Sequence, residues 1–299
     1  MKNQSLQNFS ELHTPVMISE VIKFLNLQPD GIYLDGTIGA GGHATEILAQ
    51  LSKKGRLIGL DRDAEALDIC NKRFGASALP INTFKYSYDN FPQVIDELGF
   101  SKLNGILLDL GLSSIQLNSE KRGFSYNSQG ALDMRFDNEQ SRTATDLINQ
   151  TSEEELAKII FEFGEERYSR KIAKSIKSTK NILTALDLKE AIRRATPPHK
   201  RNKTLARVFQ AIRIAVNNEL EKLKIFLNIF INYLTVGGRI IIMSYHSIED
   251  RMVKHAFRSL KESGKLNILT KKPVTPSTDE LISNNRSRSA KLRAAERLI

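Results

Sequence analysis

The stretch Asp35-Gly36-Thr37-Ile38-Gly39-Ala40-Gly41-Gly42-His43 is the part of the chain with the most to say. It follows a short apolar run, Ile32-Tyr33-Leu34, and leads into a segment whose Ile47, Leu48 and Leu51 share one helical face. That order predicts a strand turning through glycines into a helix. Gly39, Gly41 and Gly42 carry no Cβ to block a ligand, and a helix start offers N–H groups without intrahelical partners. Further on, Arg56-Leu57-Ile58-Gly59-Leu60 reads as a second strand ending at Asp61. A carboxylate at that spacing can accept both hydroxyls of a ribose, as a nucleoside-binding βαβ unit requires. Glycines also serve plain turns, so the flanking strand, the helix and Asp61 carry the reading.

The same alternation continues. A helix is predicted over 64–74, with the single Cys70 on its apolar side, where packing is the natural role for a thiol. A third strand is expected over 81–86, ending near Tyr88, and a helix over 91–98. Asn104-Gly105-Ile106-Leu107-Leu108-Asp109-Leu110-Gly111 reads as a buried strand releasing an acid and a glycine at its carboxyl end. Alternating strands and helices specify an α/β fold with a mostly parallel, doubly wound sheet, whose ligands sit at the carboxyl ends of the strands. Asp35, Asp61, Tyr88 and Asp109 all fall at such ends.

After Gly111 the alternation stops. The organisation expected is a core of 1–111 and 211–299 around a mostly helical insertion of 112–210. Ser19 and Thr204 are expected helix caps, and Ser247 with Asp250 resembles a capping box. The sheet resumes at Gly237 and runs to Ser244; His246 follows its end. Stretches 266–270 and 290–298 are expected to close the sheet as a strand pair.

The chain has 299 residues, 40% of them hydrophobic, enough for a large α/β domain with an added module. No apolar run approaches the roughly twenty residues that span a bilayer, and the N-terminus lacks a signal-like stretch, so a cytoplasmic location is expected. One cysteine and five histidines show no zinc-ligand spacing, so no metal is expected. The net charge of +10 is unevenly spread. Residues 170–213 hold thirteen Lys/Arg against two Asp/Glu, and residues 254–299 hold eleven against four, so the remainder is acidic. Two basic zones on an acidic body point to a polyanionic partner.

The core by itself permits NAD or S-adenosylmethionine. A nicotinamide enzyme has no use for two basic zones, and a non-catalytic RNA-binding protein has none for acids converging on a sheet edge. At this point several blocks taken together are specific: 31–43, 105–116, Arg122-Gly123-Phe124-Ser125, Leu132-Asp133-Met134-Arg135, 208–220, 237–254 and 287–297. With His13 to Val16, they resemble in order the bacterial small-subunit (16S) ribosomal RNA cytosine-N4 methyltransferases.

The resemblance implies a Rossmann-like core with an inserted helical domain and methyl transfer from S-adenosyl-L-methionine to the N4 of a decoding-centre cytidine. It implies as partner the 16S RNA within the small subunit or a late assembly particle. It places cofactor contacts at Gly41, Gly42, His43, Asp61, Tyr88, Asp109 and Gln116, beside Gly39 of the loop. Ile115 stands where proline is usual in the family, and Ile38 where phenylalanine is common. Attack by N4 needs no covalent intermediate, only an acceptor for an amine proton. Asp109 or a nearby backbone carbonyl is the expected acceptor, with His246 a second candidate for positioning the base. Arg193, Arg194, Lys200, Arg201, Lys203 and Arg207, with Arg286 and Arg288, and beside them Lys291 and Arg293, are expected to hold RNA phosphates.

Overall fold

The computed structural model describes residues 15–75 and 79–299; His13 lies outside them. The chain divides into two units, one of residues 1–111 and 221–299 and one of 112–220.

In the first unit, helix α1 (Ile18–Leu25) precedes strand β1 (Ile32–Asp35), followed by α2 (Gly42–Leu48), β2 (Arg56–Asp61), α3 (Ala64–Phe74), β3 (Ile81–Lys85), α4 (Phe91–Glu97) and β4 (Leu103–Asp109). Ser19 does not cap α1. The helix instead follows Met17 in a left-handed conformation (φ 52°), whose N–H donates to Glu280 Oε1 at 2.7 Å. A long-range contact sets the entry angle where local capping was expected.

The second unit begins with the short α5 (Ser114–Asn118) and continues through α6 (Ala144–Gln150), α7 (Glu153–Gly164), α8 (Ser169–Lys177), α9 (Ala185–Ala195) and α10 (Arg201–Asn217). Side-chain caps start most of them: Thr143 before α6, Ser152 before α7 and Thr184 before α9 each accept an N–H three residues on. The apolar stripes of these helices close over Leu156, Ile160, Ile172, Leu188, Val208 and Ile212, all buried.

The helical unit ends at 220, ten residues beyond the expected boundary. The reason is α10, one unbroken helix whose Phe209, Ile212 and Val216 belong to this core. From its last turns, Arg213 holds Glu219 through two bonds of 2.9 Å, and buried Asn217 donates to Met134 O at 2.7 Å and accepts Phe136 N–H at 2.8 Å. Thr204 is not a cap either: α10 starts three residues earlier, and the Thr204 hydroxyl donates to Glu166 Oε2 at 3.1 Å.

From α11 (Glu219–Ile229) the chain re-enters the first unit with β5 (Leu234–Ser244), α12 (Ser247–Glu262), β6 (Leu266–Ile268), α13 (Thr278–Ser283) and β7 (Lys291–Arg297). The strand order is β3-β2-β1-β4-β5-β7-β6. The first five strands are parallel, and β7 inserts antiparallel between β5 and β6. β1 has β2 on one side and β4 on the other, so the order reverses there and a crevice opens at the carboxyl ends of β1 and β4. On one face of the sheet, Phe91, Phe226 and Phe230 pack into the apolar core; on the other, Tyr33, Leu57, Ile241 and Leu292 pack under α1 to α3. Both faces are therefore covered, which suits near-continuous apolar strands.

Candidate functional site

Three acids stand at the strand ends. Asp35 closes β1, Asp61 closes β2 and Asp109 closes β4. The loop between β1 and α2 is stitched to the neighbouring strands: Gly36 N–H donates to Leu107 O and Ile38 N–H to Leu60 O, each at 2.9 Å. Thr37 Oγ1 accepts the Asp109 N–H at 2.7 Å, joining the tips of β1 and β4.

The two glycines of positive φ in this loop serve different ends. Gly41 (φ 81°) is buried, and a Cβ there would meet the Phe74 ring at 2.4 Å. Its lack of a side chain lets α3 pack against the loop, rather than admitting a ligand as the sequence suggested. Gly39 (φ 53°) is half-buried, and its Cβ direction is open but for Thr37 O at 3.9 Å. Gly39 is thus the glycine with room for a ligand. Gly42 is the first residue of α2, which stops at Leu48, short of the Leu51 expected on its face.

Asp61 accepts Gly39 N–H through Oδ2 at 2.8 Å and Asp63 N–H through Oδ1 at 2.9 Å. The Arg62 N–H adds a third bond, which leaves the carboxylate with lone-pair room for a ribose hydroxyl. Burial pushes the Asp61 carboxyl up to about 6 against the pull of those N–H groups. Asp35 is buried and is pushed up to about 7, chiefly by burial and further by the charges of Asp109 and Asp61, although Thr37 N–H donates to it.

Asp109 has a cradle of its own. Tyr245, just past the end of β5, donates its hydroxyl to Asp109 Oδ1 at 2.7 Å. The imidazole of His43 lies on the other side, with Nδ1 4.0 Å from Oδ2. His43 Nε2 is 2.9 Å from the carbonyl of Val16, which only accepts, so Nε2 carries a proton, and Nδ1 faces the carboxylate side. Burial raises the Asp109 carboxyl above its ordinary range, while His43, Tyr245 and Arg286 pull it down. The Tyr245 hydroxyl is held well above the usual phenol range by burial and by Asp109, so it remains a donor.

Tyr88 lies in a turn three residues past β3, half-buried, with its ring edge-on to Phe226 at 5.8 Å and its Cβ 3.0 Å from where a Gly36 side chain would begin. Gln116 belongs to the helical unit, where its Oε1 accepts Ser113 N–H at 3.0 Å in a capping box. Of the expected cofactor residues, the structure therefore brings together Gly39, His43, Asp61 and Asp109, with Gly41 and Gly42 in the same loop and Tyr88 beside Gly36.

His246 caps α12. Its Nδ1 accepts Glu249 N–H at 3.4 Å and its Nε2 lies 3.1 Å from Glu249 Oε1. The cap is therefore His246 with Glu249, one residue ahead of the expected Ser247 and Asp250, while Nε2 is buried and, among the described residues, makes no hydrogen bond. Glu249 also accepts Tyr245 N–H at 3.1 Å and so fixes the backbone that carries the hydroxyl toward Asp109.

The model of the MraW methylase family matches residues 10–298. The chain belongs to the MraW methylase family. Two of the relatives it matches are both called ribosomal RNA small subunit methyltransferase H. That of Kosmotoga olearia is 46% identical, over 98% of this chain and 99% of its own. That of Thermotoga neapolitana is 48% identical, over 97% and 98%. At the strand tips, which form the candidate site, Tyr245 is the residue that reading the sequence missed. The available signal was its place directly after β5, the strand beside β4.

The expected phosphate ligands of this methylase are mostly engaged. Arg193 pairs with Glu190 at 2.9 Å, Arg194 donates to Thr179 at 2.6 Å, Arg201 to Thr196 O at 3.4 Å, and Arg207 lies 3.6 Å from Glu166. Arg286 acts by its charge on Asp109 and Tyr245. The nearby Arg293 is buried and donates to Asp250 at 2.7 Å, with Lys291 Nζ 3.7 Å from the same carboxyl. Lys203 and Arg288 are exposed. Among the described residues, no group of three or more His, Cys, Asp or Glu is placed to hold a metal ion, and no helix is long and apolar enough to cross a membrane.

Proposed function

We propose that this methylase transfers a methyl group from S-adenosyl-L-methionine to the exocyclic N4 of a decoding-centre cytidine in small-subunit (16S) ribosomal RNA, in the cytoplasm, on the small subunit or a late assembly particle. The helical unit is its RNA-recognition module.

The observation that carries this reading is the set of three carboxyl groups at adjoining strand tips, two of which raise the third by their charge. Such a site repels the pyrophosphate of a dinucleotide and favours a nucleoside bearing positive charge. The residues present fit that group: an open Gly39, an Asp61 with room for a ribose hydroxyl, and acids whose mutual repulsion a cation relieves. The names of the relatives supply the RNA.

When bound, S-adenosylmethionine would supply an electrophilic methyl group on a sulfonium, whose sulfur departs as a neutral thioether with no need of protonation. Asp61 then holds a ribose hydroxyl, and the Gly39 backbone lets the ligand lie against the loop. Asp109 Oδ1 is occupied by Tyr245, which leaves Oδ2 to accept a proton from the cytosine amine and free its lone pair for attack. Cys70 does not provide the alternative chemistry of ring addition at C5. It is fully buried, and burial together with the charges of Asp35 and Asp61 pushes its thiol up to about 12, so it stays protonated.

The reading is tested by incubating the protein with small-subunit particles and methyl-labelled S-adenosylmethionine in parallel with Asp109→Asn. Label in the RNA of the wild type only, with cofactor still bound by both, supports it; equal turnover by Asp109→Asn removes Asp109 from the proton step.

A further inference from the structure

The helical unit carries a second feature that the strand-tip site does not use. Between α7 and α8 lies a groove of about 900 Å³ lined by Phe161, Arg167, Tyr168, Arg170 and Lys171 among others. Phe161 is 58% exposed, the most exposed aromatic ring among the large hydrophobics at the surface. Arg167, Arg170 and Lys171 are all exposed and, among the described residues, have no carboxylate partner, in contrast to Arg193 and Arg207. The groove also takes in Lys158, 4.0 Å from Glu162, and the carboxylates Glu153 and Glu154 at the start of α7. Cations still outnumber acids in its lining.

The groove is built on a fixed loop. Glu166 is buried, accepts Tyr168 N–H at 3.0 Å and the Thr204 hydroxyl at 3.1 Å, and has Arg207 at 3.6 Å. A buried carboxylate is costly unless it is bonded in this way. Here it pins the turn that puts Arg167 on the surface and Tyr168 at the groove. Lys200 of the basic loop reaches the same place: its Nζ lies 5.2 Å from the centre of the Tyr168 ring and donates to the Tyr168 hydroxyl at 3.0 Å. The groove is therefore continuous with the basic loop.

An exposed aromatic ring beside unpaired cations on a rigid support suits a single-stranded polynucleotide, whose bases stack and whose phosphates pair with the cations. We infer that the α7–α8 groove binds a single-stranded segment of the RNA substrate, with a base on Phe161 and phosphates on Arg167, Arg170 and Lys171. The inference rests on the RNA reading of the previous section and adds where the strand lies.

The test uses the full chain and a 20-nucleotide single-stranded RNA as probe, with affinity measured across salt concentrations. Replacing Arg167, Arg170 and Lys171 by alanine together is expected to lower the magnitude of the log Kd against log salt slope by about 2, from three lost contacts at roughly 0.7 each. Phe161→Ala is expected to weaken binding roughly tenfold with the slope unchanged, and Phe161→Trp to restore it. A control removing three exposed lysines of the sheet unit, Lys53, Lys54 and Lys72, is expected to leave both affinity and slope near the wild type.

Unchanged affinity and slope in the groove variants, or an equal loss in the control, overturns the groove while leaving methyl transfer by the wild type intact. Failure of the wild type to methylate ribosomal RNA overturns the function itself. A groove that instead captures an acidic peptide with the same dependence on Phe161, and RNA without it, contradicts the inference.

Discussion

The Tyr245 hydroxyl donates to Asp109 Oδ1 at 2.7 Å and joins residues 136 positions apart in the chain. One residue ends β4 and the other follows β5, neighbours in the sheet. The bond occupies one carboxylate oxygen, turns the other toward His43 and stabilises the charged form of a buried acid. The proposed proton acceptor is thus oriented and kept ionisable by a group that itself stays protonated.

Tyr245→Phe is expected to raise the Asp109 carboxyl further, because burial remains while a bond to the charged form is lost. A side-chain bond to a charged group is worth about 1.5–3 kcal/mol. The acid limb of the kcat profile should therefore move to higher pH by about 1–2, with cofactor affinity changed much less. A pH–rate series on wild type and variant checks this; an unmoved limb shows that Asp109 does not govern it.

Gly39 and Gly41 separate when each is replaced by alanine. Gly41→Ala combines a left-handed backbone with a 2.4 Å approach to Phe74, so a loss of about 2–4 kcal/mol in stability is expected. Gly39→Ala meets open space and should cost only about 1–2 kcal/mol, while sharply weakening S-adenosylmethionine binding. Thermal melts and calorimetry on both variants read the difference.

Asp61→Asn retains one acceptor oxygen where two backbone N–H groups converge on a carboxylate. It should bind S-adenosylmethionine about 10- to 100-fold more weakly, in line with the loss of charged hydrogen bonds to the ribose. Adenosine alone should show the same drop in a competition assay, since the contact is with the sugar.

Asp35 sets a pH dependence of stability. Its carboxyl is raised to about 7 in the folded chain, so the folded state holds a proton that the unfolded chain gives up near pH 4. Stability is fully present below the unfolded value and is lost as pH rises through about 7. Asp35→Asn keeps an oxygen for Thr37 N–H but carries no charge. Without ligand, its unfolding free energy should match that of the wild type at pH 4 and exceed it at pH 8, by an amount on the order of a few kcal/mol. The same variant should bind the cationic cofactor more weakly.

Much of the sheet was legible because its signals are local. The runs ending at Asp35, Asp61 and Asp109 are apolar, bounded by turn residues and spaced by amphipathic helices, and each became a strand with its acid at the tip. What failed depended on partners distant in sequence. Met17 starts α1 through Glu280, Thr204 turns to Glu166 rather than capping, and Arg293 is absorbed by Asp250. The charge pattern marked 170–213 as basic, yet charge alone does not show which cations already have carboxylates. Among the described residues, Arg193 and Arg207 have them; Arg170 and Lys171 do not. Tyr245 escaped notice because its importance comes from sheet adjacency, which no spacing records.

The central claim is that the acidic strand tips deliver a methyl group to a cytosine amine. Its most direct test is mass spectrometry of nucleosides from small-subunit RNA after incubation with this protein and methyl-labelled S-adenosylmethionine. The account predicts label in N4-methylcytidine, lost with Asp109→Asn. Label in 5-methylcytidine or another nucleoside, or none in the RNA, would contradict it.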